Sequence, residues 1–130
     1  MTESVALGID IGGTNTVYGF VGKNGHVHHH KEILTHGSKP VLDLVDRIEN
    51  RVQSYLRDNT AIVLSGIGIG APNGNHFTGR IQDPPNLSWG NVDIVALFKE
   101  RFDCDVIPVS YTHLRAHETS LHLVCRLLLE

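Results

Sequence analysis

The residues best suited to chemistry crowd into one short stretch, Asp10-Ile11-Gly12-Gly13-Thr14-Asn15-Thr16. A carboxylate at a strand end can hold a magnesium ion, directly or through water, beside a polyphosphate. Gly12 and Gly13 let the backbone come close to a ligand, and successive N–H groups in such a turn form an anion-binding nest. Thr14, Asn15 and Thr16 add hydroxyl and amide donors. Together these residues predict a phosphate site, with Asp10 at the metal and Gly12, Gly13, Thr14 and Asn15 on the phosphates. The plainer alternative is an ordinary glycine-rich hairpin. The spacing fits neither the P-loop nor the dinucleotide fingerprint, and Gly66-Ile67-Gly68-Ile69-Gly70 misses that fingerprint as well. The latter reads as a strand whose small residues admit close backbone packing.

The elements that must position this turn can be read from periodicity. Val5 to Asp10 and Thr16 to Val21 predict two strands joined as a hairpin. His26 to Leu34 predicts a third strand and completes an antiparallel meander. Val41, Val45, Ile48, Val52 and Tyr55 recur at helical spacing. Ser38 is the expected N-cap, Pro40 lies in the first turn, and Asp58-Asn59 ends the helix. Asp43, Asp46, Arg47 and Glu49 are expected on its solvent face. Ala61 to Gly70 predicts a strand buried on both faces, parallel to the meander. Ala71 to Asn91 reads as one long loop of the kind that carries function. Val92 to Phe102 predicts a second helix, with Asp93 and Ser88 as capping residues, and Asp105 to Val109 a last strand. The order β-β-β-α-β-α-β is that of an α/β fold on a mixed sheet. His26, His28 and His30 would share a strand face, which reads more simply as a solvated face than as a metal site.

Composition narrows the function classes. The chain has 130 residues, 41% hydrophobic and 19% charged, enough for one folded domain. Lys plus Arg total 11 against 14 for Asp plus Glu, with no basic block, which argues against a nucleic-acid partner. No apolar run is long enough to span a bilayer, and Met1-Thr2-Glu3-Ser4 lacks a signal-peptide pattern. Two cysteines, Cys104 and Cys125, make no disulfide framework. The expectation is a cytoplasmic protein without a membrane partner.

Ala6-Leu7-Gly8-Ile9-Asp10-Ile11-Gly12-Gly13-Thr14-Asn15-Thr16 resembles the first phosphate motif of sugar kinases in the actin/hexokinase superfamily. Gly66 to Asn73, Thr78-Gly79-Arg80-Ile81 and Pro85-Asn86-Leu87-Ser88-Trp89 resemble the ROK family (repressors, open reading frames, kinases), and within it the bacterial glucokinases. The likeness runs in order over residues 4–108. It implies a ribonuclease-H-like N-terminal lobe and ATP- and Mg2+-dependent phosphorylation of a hexose 6-hydroxyl, glucose foremost. It places Asp10 near the metal, Gly12, Gly13 and Thr14 along the ATP phosphates, and Asn86 on the sugar hydroxyls, with Asn73 and Gly74 in the loop beside the sugar. It also implies a homodimer for the whole protein. Two other readings stand beside it: a sugar- or nucleotide-binding lobe without turnover, and a sugar-responsive transcriptional regulator. The regulator would carry a helix-turn-helix ahead of a first strand that begins here at Val5.

The end of the chain departs from that pattern. The family's Asn-Asp-Ala-Asn motif, which holds the catalytic base, would follow the strand at Asp105 to Val109, where this chain reads Ser110-Tyr111-Thr112-His113. The family's zinc-binding segment and second lobe have no counterpart in the chain. Val109 to Thr119 and Leu123 to Glu130 resemble two pieces of a translated sequencing adapter, in order and in frame. The expectation is therefore a lobe over residues 1–108, a non-native tail over 109–130, and no kinase activity in the chain itself.

Overall fold

The alternation of Leu7, Ile9 and Ile11 with Ala6, Gly8 and Asp10 sets the architecture, because it gives the first strand one bulky face and one small-residue face. The computed structural model describes residues 3–22, 26–71, 74–75, 80–81 and 92–110. Strand β1 (Glu3–Ile11) pairs antiparallel with β2 (Asn15–Gly22), which pairs antiparallel with β3 (Val27–Leu34). Helix α1 (Val41–Asp58) then returns the chain to β4 (Ile62–Ala71), parallel to β1. Three two-residue strands follow, β5 (Gly74–Asn75), β6 (Arg80–Ile81) and β7 (Val92–Asp93), then α2 (Ile94–Lys99) and β8 (Asp105–Ser110), parallel to β4. The main sheet has five strands in the order β3-β2-β1-β4-β8, and β5-β6-β7 form a small antiparallel sheet.

The bulky face carries the core. Leu7, Ile9, Ile11, Tyr18, Phe20, Ile67 and Ile69 pack with Leu44, Val45, Ile48 and Val52 of α1 and with Ile94 and Phe98 of α2. Fully burying one such aliphatic side chain contributes about 1.5–3 kcal/mol. The other face sets Ala6, Gly8 and Asp10 across from Gly66, Gly68 and Gly70, so that face of β1 and β4 carries little side-chain bulk.

Several expectations change. Ser38 does not cap α1: Pro40 is the N-cap and no side chain bonds the first turn. The chain turns first, with Lys39 N–H donating to the His36 carbonyl, so Ser38 lies too far back. Asn59 closes the helix as expected, its amide donating to the Tyr55 carbonyl at 2.8 Å. Strand β4 is buried only in its second half; Ser65 is exposed and Val63 is 47% exposed. Ser65 occupies a register shift and donates its hydroxyl to the Val5 carbonyl at 3.0 Å. The segment expected as one long loop contains β5 and β6, whose partner β7 takes up the residues expected to begin the second helix. Asp93 does cap α2, accepting from the Ala96 N–H at 3.1 Å. The helix is shorter than expected and ends with Arg101 and Phe102 N–H groups turned onto the Phe98 carbonyl. Arg101 then pairs with Asp46 and with Glu49 (3.0 Å) on α1.

Candidate functional site

The parallel strands β1, β4 and β8 end together. Asp10 pairs with Gly70, and Gly70 in turn with Val109. Ligands of open α/β sheets bind outside the carboxyl ends of such strands. That edge gathers the turn after β1, the chain leaving β4 toward Gly74, and the end of β8.

The turn after β1 is closed by the Gly12 N–H donating to the Asn15 carbonyl at 2.9 Å. A Cβ on residue 12 would stand 2.7 Å from that same carbonyl oxygen, a contact a real Cβ does not make, so glycine is required there. Gly13 is half-buried, while Thr14 and Asn15 are exposed and free to meet a ligand.

A hydroxyl relay holds the turn from behind. Thr35 donates its hydroxyl to the Gly12 carbonyl at 2.8 Å. Its one proton is thereby committed, so Thr16 must donate to the Thr35 hydroxyl in the 2.7 Å bond between them. Both threonines are buried, at 0% and 1% exposure. The Thr35 N–H also donates to the Thr14 carbonyl at 2.8 Å. Arg47 clamps the far side, donating to the carbonyls of Leu34 (2.6 Å) and Thr35 (2.8 Å) while Asp43 holds its Nε at 3.0 Å. The expected solvent role for Arg47 thus gives way to a structural one. Thr35 and Arg47 were missed from sequence because their partners lie 12 to 23 residues away.

Asp10 stands beside the turn on the small-residue face. Burial pushes its carboxyl above the ordinary aspartate range. Among the described residues its side chain has no hydrogen bond or ion pair. An unpartnered carboxylate, next to Gly70 and an exposed run of polar residues, fits a magnesium ion carried in with a polyphosphate. Magnesium needs few protein carboxylates when phosphates and water complete its shell. Among the described residues no three His, Cys, Asp or Glu side chains converge as a metal cage.

The structure thus brings Asp10, Gly12, Gly13, Thr14 and Asn15 together. Gly74 pairs with Ile81 in the small sheet, and β5 lies beside β8 at the same edge. Asn73 and Asn86, and with them Trp89 and Ser88, lie outside the described residues. The histidines of β3 do not alternate simply. A register shift and a positive φ of 54° at His29 turn its ring onto Tyr55. No helix of the described residues is long and apolar enough to cross a membrane.

Solved structures share this architecture. One is described as a ROK family transcriptional regulator, homolog of the E. coli MLC protein, with a TM-score of 0.71 and 16% identity over 85% of this chain and 28% of that one. A ROK glucokinase from Streptomyces griseus, in complex with glucose and AMPPNP, aligns with a TM-score of 0.62 and 18% identity over 82% of this chain and 33% of its own. An inorganic polyphosphate/ATP-glucomannokinase from Arthrobacter sp. strain KM aligns with a TM-score of 0.61 and 26% identity, over 82% and 44%. The chain therefore spans less than half the length of these structures. No curated protein matches it in sequence. The model of the ROK family matches residues 6–110, from within β1 to the end of β8 and across the whole glycine turn. On that match, over most of its length, the chain belongs to the ROK family.

Proposed function

We propose that this chain is the phosphate-gripping lobe of an ATP-dependent hexose kinase, with glucose as the sugar. The observation that carries the reading is the strapped turn: Gly12 closed on Asn15, Thr14 and Asn15 exposed, and at its side an Asp10 with no side-chain partner among the described residues. Phosphoryl transfer is catalysed mainly by placing phosphates and spreading their charge. Magnesium ATP would supply the transferable phosphoryl group when bound there. The turn's backbone N–H groups would orient the phosphates, and Asp10 would hold the metal. The Thr35 relay and the Arg47 clamp would keep the turn from relaxing as charge moves. Asn86, with Asn73 and Gly74, would grip the sugar hydroxyls across the same edge. A dimer is proposed for the whole protein.

Residues 1–108 form the native lobe in this proposal, and 109–130 a non-native tail. Strand β8 runs two residues past that boundary, with Val109 opposite Gly70 and Ser110 opposite Ala71. The tail brings no aspartate to the place where the family's catalytic base belongs, and losing a general base costs about 10²–10⁴-fold in rate. The chain alone should therefore be silent in a coupled assay for glucose-dependent ADP formation. Sequencing the source gene across codon 108 should reveal an Asn-Asp motif and a second lobe. The product of that whole gene should then phosphorylate glucose with ATP. Turnover by the 130-residue chain, or a gene that encodes Ser110 to Glu130 and then stops, would contradict the proposal.

The likeness to the transcriptional regulator favours a second reading, a sugar-responsive regulator or a binding lobe without turnover. Whole-gene product that shifts operator DNA in a sugar-dependent way, and makes no ADP, would favour it.

A further inference from the structure

A second cleft opens away from the glycine turn, between β3 and the C-terminal half of α1. Its volume is 370 Å³, within the range of small-molecule sites. Its lining includes the His29 and Tyr55 rings, stacked at 4.2 Å between centroids, and the fully buried Phe20 supports Tyr55 from outside the cleft at 4.9 Å. The stack depends on a backbone conformation that non-glycine residues rarely adopt. An extra residue in β3 puts His29 at φ 54°, which swings its ring off the strand's ordinary alternation and over Tyr55. Strain of this sort persists where the surroundings hold it, and it concentrates at binding sites.

The walls carry charge. Lys31 and Arg51 both line the cleft, and neither forms an ion pair with a carboxylate among the described residues. Asp58 lies on the same rim and offsets one of the two positive charges. Burial pushes the Tyr18 hydroxyl up, while Arg51 opposes this by its charge and a hydrogen bond, so the guanidinium reaches into the cleft. Burial, then Lys31 and Arg51, lower the His29 pKa from its ordinary value and so favour the neutral ring. The cleft thus has a flat apolar floor, a net charge of one positive unit, and a guanidinium fork suited to a carboxylate.

We propose that this cleft is a second binding site, for a small planar organic acid whose ring lies on the His29–Tyr55 stack and whose oxyanion sits between Lys31 and Arg51. None of its residues belongs to the glycine turn, so the site stands or falls independently of the kinase reading.

The test is an NMR titration of the full 130-residue chain with benzoate, with benzamide as the uncharged isostere and inorganic phosphate as the anion without a ring. Benzoate should shift the amide signals of Lys31, Ser54 and Tyr55 along a saturable curve, and both controls should bind far more weakly. Arg51→Gln should weaken benzoate about tenfold or more, the scale of one lost charge-assisted hydrogen bond. His29→Asn tolerates the left-handed backbone but removes the stacked ring, and should weaken benzoate as well. Lys31→Met changes an exposed side chain and supplies a second charge variant whose fold the spectrum itself verifies. Absence of saturable shifts, or benzamide or phosphate binding as well as benzoate, would overturn the proposal. So would Arg51→Gln and Lys31→Met variants that keep their spectra and bind unchanged.

Discussion

Thr35→Val is the sharpest test of how the turn is held. Valine keeps the shape of threonine and removes only the hydroxyl. That hydroxyl donates to the Gly12 carbonyl at 2.8 Å and accepts from Thr16 at 2.7 Å. Losing it strands two groups: the Gly12 carbonyl, and a Thr16 hydroxyl with 0% exposure. Each unsatisfied group costs about 1–3 kcal/mol, so Thr35→Val should destabilise the lobe by about 2–6 kcal/mol. Thr16→Val removes only the donor at the far end of the relay. Thr35 keeps its bond to Gly12, and the loss should be about 1 kcal/mol. In the double variant no Thr16 hydroxyl is left to strand, so the two effects should sum to about 2–4 kcal/mol more than the double variant loses. Urea unfolding of the four proteins measures all of this, with midpoints shifting at constant slope. If Thr16→Val cost as much as Thr35→Val, or if the effects simply added, the direction assigned to the relay would be wrong.

The remaining predictions concern the same lobe. Gly12→Ala should cost about 1–3 kcal/mol and abolish nucleotide binding, because its Cβ meets the Asn15 carbonyl at 2.7 Å; urea unfolding and titration with ATP check both halves. Arg47→Ala should lose about 1–2 kcal/mol by freeing two carbonyls, and Arg47→Lys should recover only part of it, since one ammonium cannot copy the fork. Asp10 has a raised pKa in the folded state, so the folded chain binds more protons than the unfolded one just above the ordinary aspartate pKa. Its contribution to stability therefore falls as pH rises through that window. Asp10→Asn should be the more stable protein at pH 7 and lose that advantage in acid, yet fail to bind magnesium ATP; melts across pH with and without the nucleotide separate the two effects. Asp93→Ala should cost about 1 kcal/mol through the cap of α2, as chemical denaturation would show.

What could be read from sequence was what depends on neighbours in the chain. The β1–β2 hairpin and the apolar stripe of α1 follow from local spacing, and so does the cluster of Asp10 with the glycine turn. The exposed positions of β4, Val63 and Ser65, carry no local signal because Val63 is as apolar as a core strand residue, and only the neighbouring elements decide what is covered. The small sheet escaped notice because two-residue strands have no periodicity. Ser38 looked like a cap by type, and the turn before Pro40 put it out of reach. Thr35, Arg47 and His29 carry no local signature at all. Their roles come from register and from partners brought in by tertiary pairing.

The central claim is that the turn after β1 grips nucleotide phosphates with Asp10 holding the metal, and an amide NMR titration with the non-hydrolysable analogue AMPPNP and magnesium tests it most directly. The account predicts saturable shifts at Gly12, Gly13, Thr14 and Asn15 that weaken sharply without magnesium and vanish in Asp10→Asn. Unmoved turn signals at millimolar analogue, or equal shifts in Asp10→Asn, would contradict it.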